Sequence, residues 1–409
     1  MMRPKQSNKP LRRLPCAIIT ITTSLLGQSF TVTAADKTDL DIYYKDNITH
    51  VVSQDGAMHL KPELRIQSRV STPYDGNPDS IAKLNGDTTS QEIKRARLKV
   101  GGNINENLKV KFEYDLVGSQ LLDSRLTYKF VDEFQFRFGR MKAHYSPERV
   151  TSSKDQQLVD RSIVNDWFNI DRQQGISFLG HLNKGTWADS NYWFDIFNGT
   201  GRDGKNENDH FMYVGRYQWN FLGEQMETAM GDLKFRSKPA AHFAVSATTN
   251  TSAYTKFSTS APGQLRDFKD KAVEGVDDQF KLKQWMVDFS YRYNGVSFQT
   301  EYHQKQVDDR VNNEITNLEG YYVQVGFFPN RYFKSMPKEL ELAARFANVD
   351  PNTDISDNNL KELTLGANWF FTGHRNKLTF DISRHEIDEL GFDSTGSETR
   401  FRLQHDFSF

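Results

Sequence analysis

The sequence predicts an all-β protein: a transmembrane antiparallel β-barrel of about sixteen strands with short periplasmic turns and long extracellular loops. From Met58 to the C-terminus, apolar and polar residues alternate with a period of two. The alternating segments span about 10 residues each, the length of a tilted strand that crosses a bilayer. Charged residues make up 26% of the chain, yet aromatic residues reach 13%, which excludes a disordered chain. Beyond residue 35 no apolar run approaches the roughly 18 residues of a membrane helix.

The clearest alternation runs from residue 108 to 117. Its apolar positions are Leu108, Val110, Phe112, Tyr114 and Leu116, and its charged positions are Lys109, Lys111, Glu113 and Asp115. Alternation alone does not distinguish a barrel from a soluble sandwich. Strands are predicted to start near residues 58, 93, 108, 120, 133, 172, 186, 209, 240, 281, 296, 318, 338, 361, 375 and 397, and their number is even, as in bacterial barrels.

The connections between these strands mostly alternate in length, which favours a barrel over a sandwich. The predicted long ones are 70–92, 143–171, 250–280, 307–317, 350–360 and 387–396. The predicted short ones are 105–107, 182–185, 294–295 and 372–374. Two connections break the pattern, because 117–120 is short where a loop is expected and 221–239 is long where a turn is expected. Aromatic residues gather beside the short turns, as in a periplasmic interface girdle.

The two ends of the chain indicate export and membrane assembly. Residues 1–35 resemble a cleaved signal peptide, with basic residues, an apolar stretch at 14–26 that contains Cys16, and cleavage after Ala34 or Ala35. The alternative, a membrane anchor at 14–26, is disfavoured by its shortness. A lead-in segment, 36–57, precedes the barrel domain, 58–409. We expect Phe407 and Phe409 to form an assembly signal on a last strand that pairs with the strand near residue 58.

Basic residues on the polar faces of the early strands predict an anion path. The whole chain has a formal net charge of only −1, so it has no global basic field of the kind that attracts nucleic acid. The alternative is that Glu113, Asp115 and Asp123 neutralise these cations. The candidate pore-lining residues are Arg95, Arg97, Lys99, Lys109, Lys111, Arg125, Lys129, Arg137 and Arg140.

The segment 142–171 is predicted to fold into the lumen and narrow it, because its apolar side chains need burial. The alternative is a loop that covers the outer rim. Its apolar residues are Tyr145, Leu158, Ile163, Val164, Trp167 and Phe168. Its basic residues are Lys142, Arg149, Lys154 and Arg161.

Three motifs with possible chemistry are weak. Residues 199–206 imitate a phosphate-binding loop but have Asn206 in place of Ser or Thr. Residues 350–361 begin like an EF-hand loop but lack its Gly and closing Glu. His144 and Ser146, with Asp155 nearby, could be imagined as a nucleophilic site, but nothing in the sequence fixes the geometry. The sequence therefore predicts neither a metal nor a cofactor.

A series of short motifs in this order resembles the phosphate-selective porin O and P family. The motifs are Arg95-Ala96-Arg97-Leu98, Lys111-Phe112-Glu113-Tyr114-Asp115, 137–142 into 146–149 and 151–153, Arg161-Ser162, Arg172-Gln173-Gln174-Gly175, Phe197-Asn198-Gly199, 341–345, 365–369 and 402–407. The resemblance implies a sixteen-stranded trimeric porin with a third loop folded into the lumen and basic residues along an anion path. The chain departs from this pattern in charge, because residues 277–409 hold 15 Lys and Arg against 21 Asp and Glu.

Together these observations predict an outer-membrane porin of a Gram-negative cell that allows passive diffusion of small hydrophilic solutes and has no enzymatic activity. We expect it to prefer anions, including phosphate and polyphosphate. The expected partners are these solutes, outer-membrane lipid, the barrel-assembly machinery and two further copies in a homotrimer, without nucleic acid. The alternatives are a barrel enzyme such as a phospholipase and a surface adhesin or structural barrel.

Overall fold

The structure, a computed structural model, describes residues 40–409 except 46, 74–75, 85, 87, 259–260 and 390–394. The predicted signal peptide, with Cys16 and its cleavage positions, lies outside the described residues. The strands are β1 (Leu40–Lys45), β2 (Ile48–Ser53), β3 (His59–Thr72), β4 (Ser90–Asn103), β5 (Leu108–Asp115), β6 (Gln120–Val131), β7 (Phe134–Lys142), β8 (Arg172–Leu182), β9 (Ser190–Phe197), β10 (Met212–Leu222), β11 (Ala240–Ser252), β12 (Phe280–Tyr293), β13 (Val296–Asp309), β14 (Glu314–Phe327), β15 (Leu340–Asp350), β16 (Leu360–Thr372), β17 (Asn376–Ile387) and β18 (Gly396–Ser408). The helices are α1 (Pro147–Val150) and α2 (Ile163–Phe168), and 3-10 turns occupy Ile81–Lys83, Arg266–Phe268 and Pro329–Arg331.

Strands β3 to β18 form a closed antiparallel barrel. Each strand pairs with the next, and β18 returns to β3 from Phe401 opposite Thr72 to Ser408 opposite Arg65. The prediction of sixteen strands and of pairing between the last strand and the one near residue 58 is confirmed, and every strand starts within four residues of its predicted start. In the described part of the chain, no helix combines the length and apolar character needed to cross a bilayer.

The faces of the strands place apolar residues outside and polar residues inside. On β12, for example, Trp285 is 43% exposed whereas Asp288 and Arg292 on the other face are buried. A soluble sandwich would bury the apolar face instead. The sheet is therefore a membrane barrel whose outer surface contacts lipid.

The two rims differ as predicted, with one correction. Both exceptions to the alternation of long and short connections are present in the structure. Residues 116–119 form a four-residue extracellular turn, and residues 223–239 form a long periplasmic connection. The predicted longer loop at 307–317 is wrong, because β13 continues to Asp309 and β14 begins at Glu314. Polar residues on the outer face of these strand ends, such as Gln306 and Asp308, conceal the strand pattern there.

The segment preceding the barrel contains two strands that the sequence did not reveal. β1 and β2 form a hairpin, and β2 pairs with the beginning of β3 through Val51 opposite Leu60 and Val52 opposite His59. This hairpin occupies the same edge of β3 that β18 uses further along, at residues 65–72.

An apolar core fills part of the lumen on the extracellular side. Helix α2 supplies Trp167 and Phe168, which are 3% and 1% exposed. Residues of the 253–279 loop pack with it, and so do the inward-facing ends of the later strands. The other members of this core include Ile163, Val164, Phe257, Leu265, Phe268, Phe280, Leu282, Val307, Leu318 and Leu360. This part of the lumen is therefore packed rather than open.

Candidate functional site: the constriction of the lumen

The loop 143–171 lies inside the barrel and is anchored to the wall formed by β13 to β18. Backbone N–H groups and short polar side chains of the loop donate to carboxylates that project inward from these strands. The contacts are Ser146 Oγ to Glu301 Oε2 at 2.7 Å, Glu148 N to Glu301 Oε1 at 2.8 Å, Gln157 Nε2 to Glu341 Oε1 at 2.7 Å, Val159 N to Asp381 Oδ2 at 2.9 Å and Ile163 N to Glu362 Oε2 at 2.9 Å. Acceptors that are charged make stronger hydrogen bonds than neutral ones, so these five contacts fix the loop on one side of the lumen.

Asp160 adds ion pairs at the centre of the loop. Its carboxylate lies 2.8 Å from Arg69 Nη2 on β3 and 3.0 Å from Arg402 Nη1 on β18. Burial alone would raise the pKa of Asp160, but the charges of Arg69 and Arg402 hold it well below its usual range. Asp160 therefore remains ionised and connects the loop to both sides of the barrel seam.

On the opposite side of the loop an open cavity of about 480 Å³ remains, and no residue that lines it comes after Thr228. The acidic side chains of the last third of the chain that anchor the loop lie on its other side. The cations that line the cavity are Arg65, Arg95, Arg97, Lys99, Lys111, Arg125, Arg137, Lys142, Arg149, Lys154, Arg161 and Arg172. The acids are Glu63, Glu113, Asp123, Asp155 and Asp171. Twelve cations against five acids leave a formal excess of seven positive charges.

Some of these cations are neutralised by neighbouring strands. Arg97 lies 2.8 Å from Asp115 and 3.2 Å from Glu113, and Lys111 lies 2.5 Å from Asp123. Arg97 stands directly opposite Asp115 on β5 in the strand register. These residues therefore contribute pairs rather than free charge.

Five cations of the cavity have no carboxylate partner in the described part of the chain. The side chain of Arg125 has neither a hydrogen bond nor an ion pair there. Burial together with the Arg149 charge lowers the pKa of Arg161 to about 9, which still leaves Arg161 protonated at neutral pH. The other contacts are Arg95 to Gln67 Oε1, Arg137 to Thr127 Oγ1 at 3.0 Å and His144 Nε2 at 2.9 Å, Lys142 to the carbonyl oxygens of Arg149, Val150 and Thr151 at 2.7 to 3.2 Å, and Arg161 to those of Glu148 and Thr151 at 3.0 and 2.7 Å. Neutral acceptors orient these groups without cancelling their charge.

The remaining predicted residues lie elsewhere along the wall. Lys109 lines a second opening of about 370 Å³, which shares Lys99, Lys111, Arg125 and Arg137 with the first. The two spaces are therefore adjacent along the cationic wall.

Two predicted residues lie outside both spaces. Lys129 is ion-paired with Asp132 at the periplasmic rim, and Arg140 lies 2.9 Å from Asp203. Arg65 and Arg172 line the cavity but were absent from the sequence-based set. The alternation of Arg65 with Gln67 and Arg69 on β3 was the signal that could have revealed Arg65.

The arrangement of His144 and Ser146 differs from that of a nucleophile and its base. Ser146 donates to the Glu301 carboxylate, as described above, so its hydroxyl is not held by an imidazole. Arg137 can only donate, so His144 Nε2 accepts from it and Nδ1 donates to Asp195, 3.2 Å away. Burial lowers the pKa of His144, consistent with this neutral ring.

A closed barrel with a lipid-facing apolar surface, a folded-in loop and a cation-lined opening defines an outer-membrane diffusion channel, a porin. The family model of the phosphate-selective porins O and P matches residues 66–390, more than half of the chain, and the protein belongs to this family.

Comparisons with individual proteins gave one sequence relative and several solved structures, and the solved structures agree on the fold. An uncharacterized protein of Aquifex aeolicus (strain VF5) is 25% identical over 400 residues. The match covers 86% of this chain and 87% of that protein. Among solved structures, OmpF of Salmonella typhi in complex with daunomycin matches with a TM-score of 0.55 at 12% identity, covering 90% of this chain and all of that one. The anion-selective porin of Comamonas acidovorans matches with a TM-score of 0.51 at 11% identity, covering 86% and 99%. The trimer form of OmpT from Vibrio cholerae matches with a TM-score of 0.51 at 10% identity, again covering 86% and 99%.

Proposed function

We propose that this porin passes small hydrophilic anions along the wall of β3 to β8, between that wall and the loop 143–171. The observation that carries the proposal is the separation of charge inside the barrel. The acids of the later strands anchor the loop, whereas the open space on its other side has a formal excess of seven cations. The acidic composition of residues 277–409 is therefore compatible with an anion path.

The effect of a charge on a passing ion depends on how strongly water and salt screen it. At a constriction the effective dielectric constant is lower than in bulk water, so each cation acts more strongly. Charges on wide, wet walls are screened within about 8 Å at physiological salt. The cations at the cavity, including Arg95, Arg125 and Arg137, should therefore dominate selectivity.

The chemistry of the cavity fits phosphate and short polyphosphates. Guanidinium groups donate parallel hydrogen bonds to phosphate oxygens, and the cavity presents several of them without carboxylate partners. The solute must bind weakly enough to be released. The many cations provide alternative positions along the wall, and this favours release of the solute. The family description and the anion selectivity in the description of the Comamonas porin support the same class of solute.

The test of anion preference is the reversal potential of the purified protein in planar bilayers with asymmetric KCl. We expect a potential of the sign for anion preference, and Arg125→Gln should reduce the anion-to-cation permeability ratio on the order of threefold. Lys129→Gln is the matched control, because Lys129 is paired with Asp132 at the wet rim. A wild-type channel that prefers cations would contradict the proposal.

A second measurement separates phosphate-type solutes from anions in general. Inorganic phosphate and pyrophosphate should reduce the chloride current at millimolar concentration by occupying the cavity, and Arg95→Gln combined with Arg137→Gln should weaken this inhibition. If neither compound affects the chloride current, the path is a general anion path without a phosphate site.

Export and assembly complete the proposal. A leader ending at Ala34 or Ala35 is removed on export, the barrel-assembly machinery inserts the chain, and three copies associate, as the trimer form of the Vibrio cholerae protein supports. The mature protein should begin at Ala35 or Asp36 by N-terminal sequencing. Unheated samples should migrate as trimers in electrophoresis, and a monomer after chemical cross-linking would contradict the trimer.

A further inference from the structure

The periplasmic connection 223–239 is much longer than the barrel requires. Leu222 at the end of β10 stands opposite Ala241 near the start of β11, so a tight turn could join the two strands. The chain instead uses seventeen residues there. On the rim where short turns are normal, so long a connection needs another explanation.

Residues 223–239 fold from the periplasmic rim into the lumen. Met230 and Asp232 are 2% and 0% exposed. The carboxylate of Asp232 accepts from the N–H groups of Gly295 at 2.9 Å and Arg236 at 3.0 Å, which ties the segment to the β12–β13 turn. The carbonyl oxygen of Met230 accepts from His374 Nε2 at 2.9 Å, in the turn between β16 and β17. The segment is thus held by two periplasmic turns on its way into the barrel.

Inside the lumen the segment meets the part of the loop 143–171 that faces the cavity. Thr151 Oγ1 lies 2.7 Å from the carbonyl oxygen of Thr228 and 2.8 Å from that of Pro147, so the two oxygens share its one proton. Met230 N donates to the carbonyl oxygen of Asp155 at 2.8 Å. Thr228 lines the cavity, and so do the loop residues 152–155 between the two contacts. The segment therefore supports this stretch of the loop from the periplasmic side.

We propose that residues 223–239 form an internal brace that sets the width of the constriction by holding loop residues 151–155 at a fixed distance from the cationic wall. The inference rests on the proposed route along that wall, but it concerns the size of the opening and not its charge. Without the brace, the stretch 151–155 loses these two contacts and is held by Lys142 and Arg161 at Thr151 and by Arg65 at Ser153. Residues 154 and 155 then recede, and the opening becomes wider.

Gly231 provides a way to release the brace with one substitution. Its φ is +79°, a backbone conformation that favours glycine, and an added Cβ would lie 2.7 Å from the Oε1 atom of Glu341. In Gly231→Val either the segment moves away from the barrel wall or the Glu341 carboxylate moves and loosens its contact with Gln157, and the shortened chain described below separates the two effects. Gly185→Val is the matched control, because Gly185 lies in a turn on the same rim with φ +76° and open space around its Cβ position.

The experiment measures single-channel conductance and the largest neutral sugar that still permeates, for both variants and for a chain in which residues 225–236 are replaced by a short Gly-Ser turn. Gly231→Val and the shortened chain should increase conductance roughly twofold and admit larger sugars, while the reversal potential keeps its sign and Gly185→Val behaves as the wild type. Heat-modifiable migration in electrophoresis shows that each variant forms a barrel. Unchanged conductance and sugar limit in both brace variants would overturn the proposal, whereas failure of the anion path would appear in the wild-type reversal potential.

Discussion

The carboxylate of Asp160, in a loop inside the barrel, lies 2.8 Å from the guanidinium of Arg69 on the first barrel strand. The same carboxylate reaches Arg402 on the last strand. One loop residue thus contacts both strands that close the barrel.

We expect Asp160→Asn to loosen the loop 143–171. The variant leaves Arg69 without its carboxylate partner, whereas Arg402 keeps Asp381. Removing one partner of a buried pair costs about 3 kcal/mol. The variant should show frequent current fluctuations in planar bilayers, where the wild type is quiet. Asp267→Asn is the control, because Asp267 is about a third exposed and its ion pair is with the adjacent Arg266. Equal noise in both variants would show that Asp160 does not hold the loop.

The attachment of the loop should also depend on pH through Glu148. Burial, together with the nearby Glu301 charge, raises the pKa of Glu148 to about 7 from its ordinary value of 4.5. A raised pKa means that the attachment is strongest below about pH 4.5 and weakens as the pH rises towards 7, with little further change above it. We expect current fluctuations to increase between about pH 5 and pH 8.

The neutral variant Glu148→Gln tests this assignment. Its amide oxygen can still accept from Ser162 N, its NH2 group can donate to Ser162 Oγ in place of the bond it accepted, and the pH dependence in this range should be lost. Asp160 cannot produce the same profile, because its lowered pKa makes its contribution disappear only in acid. A variant that retains the wild-type profile would assign the titration to another group.

Phe168→Ala should release helix α2 from the apolar core inside the lumen. Phe168 is 1% exposed and packs against His303, with ring centroids 5.3 Å apart. Truncation of a buried Phe costs about 3 to 5 kcal/mol. The measurement is trypsin cleavage of the intact, inserted protein at Arg149, Lys154 and Arg161, which should be slow in the wild type and faster in the variant. Phe371→Ala, at an exposed position on the lipid side, should leave cleavage unchanged.

Deleting Phe407 to Phe409 should prevent closure of the barrel. Phe409 and Leu64 exchange two backbone hydrogen bonds of 2.9 and 3.0 Å, and Phe407 stands opposite Ile66. Without these residues the edge of β3 loses its partner near the periplasmic rim. Cell fractionation should find the truncated chain in the periplasm, and normal insertion in the outer membrane would contradict an assembly role.

The strands could be predicted from the sequence wherever lipid meets their outer face. There the apolar face looks outward, and the charged face looks into water, so the period of two is clear. At the extracellular ends of β12 to β14 the order is reversed, with Leu282 and Val307 inward against the lumen core and Lys283 and Asp308 outward. Because this reversal comes from loops distant in sequence, the predicted loop at 307–317 was wrong.

The basic residues of the candidate site were visible as residues on one strand face, but their pairing was not. Whether a cation is free depends on the register between strands, which places Asp115 opposite Arg97 and leaves Arg125 opposite Gly139 on β7. The role of the later acids was also hidden. Glu301 and Asp381 meet the loop only after the barrel has closed, so the number of acids in the last third does not by itself describe the charge along the open path.

The N-terminal hairpin has a consequence for how the barrel finds its register. β2 occupies the edge of β3 at residues 59 and 60, and β18 occupies the same edge at residues 65–72. A strand that slipped along this edge by one residue would turn all its lumen-facing groups towards lipid. The hairpin covers the periplasmic end of this edge, whereas the last strand reaches only as far as Leu64, which pairs with Phe409. The hairpin therefore limits how far the last strand can slide towards the periplasm, and the exact register is left to the pattern of lumen-facing and lipid-facing side chains.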